Sequence, residues 1–439
     1  MTSASHWRSV LSEVDQAGLC SHPVRLRGVT LDRTTGELSE GGLLVPCKDR
    51  RAAVCPSCSR LYQADAWQLV AAGIRGGKGV SPGVVHHPQL FVTLTAPSFG
   101  PVHRSNLSGE ALRPCRPRRT AVLCPHGHSL SCLVRHAKTD AAVGEPLCAD
   151  CFDYRGAVLW NAHVSRLWGR TCHRLYREVA QAGELTSRQL RSVARLSYIK
   201  VVEFQGRGLV HLHVVIRADG GAGPSEAPPG WLDATVLRDA IGRAVSEVAV
   251  AVPGVERTAV RRARWGAQHD IRVLVADDET DARAIAAYVA KYSTKTADGT
   301  PWLAHRIRTR AQIERLALRP HIVAMVRTAW ELGARRNLAI LRLRDHAHTL
   351  GYPGQFSSKS VRFSTTFGAL RRARADYVRN DDVDKRDFDY DGEWRYAGRG
   401  YANPEADTLA AKLFEARFGV PKQVPAGSQL GSQKGSQTP

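Results

Sequence analysis

Along residues 209–216, Val210, Leu212, Val214 and Ile216 alternate with Leu209, His211, His213 and Val215. This period of two sends the sets to opposite faces of an extended strand and points both histidines the same way. Residues 90–95 read likewise, with Phe91, Thr93 and Thr95 on one face and Val92 and Leu94 on the other. Further strands are expected at 197–204 and 269–275. Gln205-Gly206-Arg207-Gly208 joins the strand at 197–204 to the histidine strand, and two glycines in so short a connection indicate a hairpin. A turn centred on Arg207 sets Glu203 opposite His211 on the same face, whereas a slip of one residue sends Glu203 to the other side.

Helical periodicity marks 60–74, ended by Gly76-Gly77, then 153–182, 232–249 and much of 302–350. Another helix follows Asp277, Asp278, Glu279 and Asp281, acidic residues that favour a helix N-terminus. The order strand, helix, strand, strand, helix, strand, helix fits an α+β fold, an antiparallel sheet with helices packed on one face.

Composition narrows the class. The chain has 439 residues, enough for two or three units, and 43% of them are apolar, so a sizeable core is feasible. A formal charge of +21 with pI near 10.0 calls for a polyanionic partner, nucleic acid or an acidic membrane surface. No apolar run reaches membrane-span length and residues 1–16 lack a signal-peptide core, so a cytoplasmic protein is expected. In a reducing compartment the ten cysteines are metal ligands or buried thiols rather than disulfides. The expected units are an N-terminal cysteine-rich region (1–88), a central domain (89–296) with a cysteine-rich insertion (113–152), a helical, basic region (297–420) and a disordered Gly/Ser/Gln tail (421–439).

Cys55-Pro56-Ser57-Cys58 is a knuckle that presents two thiolates to one tetrahedral ion at about 2.3 Å, and Cys47 and Cys20 complete an expected zinc set. The insertion carries Cys115, Cys124, Cys132, Cys148 and Cys151 among His126, His128 and His136. Cys148 and Cys151 form a second knuckle, which Cys124 and Cys132 complete as an expected four-thiolate zinc site, unless one histidine replaces either. An insertion too small to bury much apolar surface gains its folding energy from such an ion.

His211 and His213 stand about 6–7 Å apart along their strand, from where two imidazoles can converge on one metal ion. On the acidic-capped helix Tyr288, Lys291, Tyr292 and Lys295 fall within an arc of about 100°. Taken singly, the first pair also fits hydrogen-bonded core histidines and the second stripe ordinary packing with lysines reaching outward. Together, a His-x-His strand followed by Tyr-x-x-Lys resembles the HUH endonucleases, and the chain is similar to rolling-circle replication initiators. The paired tyrosines from Tyr288 to Lys295 resemble those of initiators of isometric single-stranded DNA phages, and Phe91-Val92-Thr93-Leu94-Thr95 resembles the family's first motif. Similarity running from the Cys55/Cys58 pair through Leu147-Cys148-Ala149-Asp150-Cys151 to Phe356-Ser357-Ser358-Lys359-Ser360 extends to Rep proteins of actinobacterial plasmids and integrative elements. It covers most of the chain except the extreme C-terminus.

The resemblance implies an antiparallel palm of the RRM or ferredoxin-like kind. It also implies a metal-dependent nickase in which His211, His213 and Glu203 hold Mg²⁺ or Mn²⁺, Tyr288 or Tyr292 attacks single-stranded origin DNA, and Lys291 or Lys295 assists. The products would be a 5′-phosphotyrosine and a free 3′-OH that primes synthesis by a host DNA polymerase. With no Walker-type phosphate loop, unwinding would fall to a host helicase. An HUH transposase or conjugative relaxase shares this chemistry, and a noncatalytic zinc-dependent DNA-binding regulator is the reading of another class. The stretch 357–377, with Lys359, Arg362, Phe363, Phe367, Arg371, Arg372, Arg374 and Tyr377, suits single-stranded DNA binding or an ordinary amphipathic segment.

Overall fold

The computed structural model describes residues 4–33, 35–108, 111–120, 122–256, 258, 260–275, 279–294, 305–381 and 390–419. The expected tail, Trp302, Lys295, Asp277 and Asp278 lie outside the described residues. The first half contains α1 (Ala4–Gln16), β1 (Val24–Asp32), β2 (Leu38–Val45), α2 (Pro56–Arg75), β3 (Gln89–Leu94), β4 (Asn106–Ser108), β5 (Ala111–Arg113), α3 (Tyr154–Ala182), α4 (Ser187–Val193), β6 (Ala194–Phe204) and β7 (Val210–Gly220). The second half adds α5 (Ala234–Glu247), β8 (Ala249–Ala251), β9 (Arg262–Arg264), β10 (His269–Val273), α6 (Glu279–Thr294), α7 (Arg310–Glu314), α8 (Pro320–Leu332), β11 (Ser357–Lys359), α9 (Phe367–Asp381), β12 (Tyr390–Arg399) and α10 (Pro404–Phe418). The protein is α+β, and the alternating segments read from the sequence are strands of one antiparallel sheet ordered β10-β3-β7-β6-β11.

Local chemistry sets the element ends. Asp153 caps α3 by accepting from the Gly156 amide at 2.8 Å. Pro56 begins α2, where a missing N–H costs nothing, and Gly76 ends it at a positive φ of 83°. Gln205 and Leu209 close the β6–β7 turn through an N–H···O bond of 2.9 Å, with Gly208 at φ 73°.

Both faces of the central sheet are covered, where the sequence reading expected one. Leu90, Val92, Leu94, Leu212, Val214 and Ile216 meet α3, α5 and α8 in the larger core. Phe91, Ile199, Val201 and Val215 meet Leu69, Val70 and Ile74 of α2 and Ile285, Ala286 and Val289 of α6 in a second core. The cause is visible in β7, whose residues are buried throughout, because apolar side chains occupy both alternating sets.

The C-terminal part folds back on the rest. β11 extends the central sheet beside β6, while β12 pairs with β1 in a three-stranded sheet ordered β12-β1-β2. Helix α10 packs on α1 through Ala406, Ala410, Val10 and Val14. In the basic stretch, Phe363 is fully buried in the second core and Phe367 packs against it. The Phe363 ring therefore offers no face to DNA bases. Lys359 Nζ donates to the carbonyls of Ser360, Val361 and Ser364, and Arg374 pairs with Asp65. Phe363 and Phe367 thus serve packing, while Tyr377, Arg371 and Arg372 stay exposed.

Gly73 lies flat against the Phe363 ring, leaving no room there for a Cβ. Phe363→Ala should lower stability by about 3–5 kcal/mol, read from the shift in urea midpoint. Val361→Ala, at a site 90% exposed, should change it by less than about 0.5 kcal/mol.

Candidate active site and metal centres

The β6–β7 register pairs Glu203 with His211 and Val201 with His213, so the carboxylate and both imidazoles share the face turned to α6. This is the register expected from a turn centred on Arg207. The imidazole centroids are 4.5 Å apart and both side chains are buried. On the other flank β3 sets Thr93 opposite His213. Its Oγ1 lies 3.2 Å from His213 Nδ1, and the Phe91 ring stacks on the imidazole at 5.9 Å. With Nδ1 engaged, His213 presents Nε2, which is 3.3 Å from Glu203 Oε2.

Helix α6 completes the group. The Tyr288 hydroxyl sits 2.8 Å from His213 Nε2 and donates to Glu203 Oε2 at 3.4 Å. The Tyr292 ring lies 4.5 Å from that of Tyr288 and 5.9 Å from the His213 ring, and Lys291 Nζ is 5.7 Å from the Tyr292 centroid. Tyr292 is only 1% exposed, whereas Tyr288 is half-buried. Burial first, then the Glu203 charge, pushes both phenols above their ordinary range and holds them protonated.

His211 is held from behind. Its Nδ1 lies 2.8 Å from the Gln205 side-chain amide, which meets Arg207 Nε at 2.8 Å. Arg207 also donates to the carbonyls of Pro97 and Ala96, both at 3.0 Å. Burial, then His213 and Arg207, pushes the His211 imidazole well below its usual range, so it is neutral. Its Nε2 is buried without a hydrogen-bond partner. Gln205 and Arg207 were not among the expected site residues, and only their place in the turn before the histidine strand could have pointed to them.

Four groups of Cys, His or acidic residues among the described ones have ligand atoms all within 4.8 Å of one another. His211, His213 and Glu203 are not such a set. Cys20, Cys47, Cys55 and Cys58 are one, as their spacing led us to expect. Cys20 Sγ lies 3.7 Å from both Cys55 Sγ and Cys58 Sγ, close to the edge of about 3.8 Å that bond lengths imply for a tetrahedral zinc thiolate. The insertion departs from expectation. Cys124, Cys148 and Cys151 are joined by His126, whose Nδ1 is 3.3 Å from Cys151 Sγ and 3.7 Å from Cys148 Sγ. Cys132, the expected fourth ligand, is elsewhere. Its backbone pairs with Arg116 through bonds of 3.0 and 2.8 Å, which draw it towards Cys115 and away from Cys124. Meanwhile the turn closed by Cys124 N to His128 O at 2.9 Å brings His126 back beside Cys124. These cysteine-rich groups can hold zinc.

Among the described residues no helix is long and apolar enough to cross a membrane. The family profile described as RepSA, replication initiator protein, pSAM2, matches residues 6–415 of the chain. A curated Streptomyces ambofaciens protein named replication initiator protein is 39% identical over 427 residues, covering 91% of this chain and 88% of that protein. No solved structure matches the chain.

The burial of both phenols is open to direct measurement. In a spectrophotometric titration the Tyr288→Phe/Tyr292→Phe variant should show as many phenolates as the wild type up to about pH 11. A deficit of two tyrosines in the variant over that range would contradict the shifts described.

Proposed function

The chain belongs to the RepSA family of replication initiators, and from that premise we propose that it opens its origin by nicking one DNA strand with Tyr288. A replication initiator acts on DNA, and the net charge of +21 suits that partner. The observation that carries the nicking reading is the Tyr288 hydroxyl 2.8 Å from His213 Nε2 and beside Glu203. A nucleophile and a set of metal-type donors share one pocket.

The donors fit a divalent ion in their chemistry. His211 keeps an unpartnered buried Nε2, His213 turns Nε2 inward, and Glu203 supplies a carboxylate. His211, His213 and Glu203 would hold Mg²⁺ or Mn²⁺, which would supply Lewis acidity to the scissile phosphate. Thr93 fixes the His213 ring and Gln205 with Arg207 fixes His211, while the three donors would have to draw closer together to share one ion. The Tyr288 oxygen attacks phosphorus, and the bond to the 3′ oxygen breaks. The proton leaving the phenol is balanced by the one taken up at the 3′ oxygen, giving a 5′-phosphotyrosine and a 3′-OH. Since burial keeps the phenol protonated, cationic charge near the phosphate, including Lys291, assists its ionisation.

Tyr288 goes first because its hydroxyl meets His213, while Tyr292 is more deeply buried behind it. Tyr292 takes the second cleavage, which releases the displaced strand. Lys295 is assigned the same role for Tyr292 as Lys291 on grounds of sequence spacing alone. A host DNA polymerase extends the 3′-OH and a host helicase unwinds the duplex.

The test incubates the full chain with single-stranded origin DNA and Mn²⁺ and looks for a protein–DNA adduct that survives denaturant. Tyr288→Phe and His213→Ala should each reduce adduct formation by at least about a thousandfold, while Tyr292→Phe retains the first adduct. An undiminished adduct in the Tyr288→Phe/Tyr292→Phe variant sinks the reading. No adduct in the wild type despite origin binding leaves a noncatalytic zinc-dependent regulator. Cleavage confined to an element end or transfer origin favours a transposase or relaxase.

A further inference from the structure

The segment between Pro101 and Cys151 has almost no core of its own. Among its described residues the buried apolar side chains are Cys115, Cys124, Cys132 and Cys148, while Leu107, Leu123, Leu133 and Val134 are exposed. A segment without buried hydrocarbon needs another source of folding energy. One such source, the group around Cys124, is already described. A second lies in His103, Cys115, Cys132 and His136, whose ligand atoms also all lie within 4.8 Å of one another.

Its geometry matches a tetrahedral ion with two nitrogens and two sulfurs. His103 Nδ1 is 3.2 Å from His136 Nε2, Cys132 Sγ is 3.4 Å from the same nitrogen, and Cys115 Sγ is 3.9 Å from His103 Nδ1. Zinc bond lengths imply edges of about 3.3 Å between nitrogens and about 3.5 Å between nitrogen and sulfur. The His136 ring is also oriented for the task. Asp140 Oδ2 lies 2.6 Å from Nδ1, which turns Nε2 towards the other three ligands, as carboxylates do behind metal-bound histidines.

The two groups interleave along the chain. His103 and Cys115 pair with Cys132 and His136, skipping over Cys124 and His126, which pair with Cys148 and Cys151. We propose that His103, Cys115, Cys132 and His136 bind a zinc ion of their own, cross-braced with the neighbouring ion, so that each chain carries three zinc ions. The loop from Cys115 to Cys132 then contains Cys124 and His126 of the other group, and the loop from His126 to Cys148 contains Cys132 and His136, so opening either site frees a loop that the other needs.

The braced segment reaches the nicking pocket. His103 exchanges backbone bonds with residues 144 and 145, at 2.9 and 2.8 Å. Gly144, at φ +95°, lies against Gly206 so closely that a Cβ would fall 2.3 Å from its carbonyl carbon. Arg319 ties the two together by donating to Val143 O at 3.0 Å and Gly206 O at 2.7 Å. Gly206 belongs to the turn between Glu203 and His211, so the braced segment buttresses that turn.

Elemental analysis of the full chain, purified without chelator, should return three zinc ions per chain. Cys115→Ser/His136→Ala should return two or fewer, while Cys172→Ser, at the cysteine outside all three groups, should keep three. A wild-type count of two, or a Cys115→Ser/His136→Ala variant that keeps the wild-type count, overturns the proposal. Should that variant fail to fold, titration of the metal-depleted wild type with Co²⁺ decides. Tetrahedral visible bands that grow to three equivalents support the third site, and saturation at two contradicts it.

Discussion

The tyrosine helix stays in place because Ile285, Ala286 and Val289 of α6 are buried against Phe91, Ile199, Val201 and Val215 of the sheet. Each of the larger side chains, Ala286 aside, contributes roughly 1.5–3 kcal/mol on burial. With that stripe fixed, helical spacing leaves Tyr288 and Tyr292 little choice but to lie over the histidine face of β7. Helix α2 backs α6 with Leu69, Val70 and Ile74. At the other end, Arg50 donates at 3.0 Å to the carbonyl of Ser293, a cation at the negative end of the helix. The same burial has a chemical cost, since it holds the phenols protonated. On the proposed nicking reading, the pocket would stay inactive until positive charge and substrate arrived together.

Arg50 also links this packing to the first cysteine group. It lies in the loop between Cys47 and Cys55, and α2 begins immediately after Cys55. An ion held by Cys20, Cys47, Cys55 and Cys58 would fix the start of the helix that supports α6, and with it the base of the β1–β2 hairpin. The cysteine-rich insertion meets the turn between Glu203 and His211 through Gly144 and Gly206. Loops that carry candidate zinc ligands thus contact two of the elements that build the pocket.

Much of the pocket was legible in the sequence because its information is local. Alternation around His211 and His213 set their common face, two glycines set the turn, and the turn set Glu203 across from His211. Phe91 and Thr93 could be placed on one face, though only pairing with β7 shows which face that is. Coverage of both sheet faces was harder to read, because periodicity says which side of a strand is apolar but not which helix arrives there. The same limit applies to Phe363. Its aromatic ring among arginines looks available for stacking until Gly73 is found against it. The assignment of Cys132 failed for a topological reason, since knuckle spacing identifies pairs of ligands but not which pairs share an ion. His126, two residues after Cys124, and the three-residue gap from Cys132 to His136 were the available signals.

The most direct measurement of the central claim is peptide mapping by mass spectrometry of the covalent protein–DNA product after nuclease trimming. The account predicts a nucleotide attached through its 5′ phosphate to Tyr288, in the peptide that also holds Lys291. A first-cleavage adduct on a tyrosine outside α6 or on a serine, or a cut that leaves a 3′ phosphate, would contradict it.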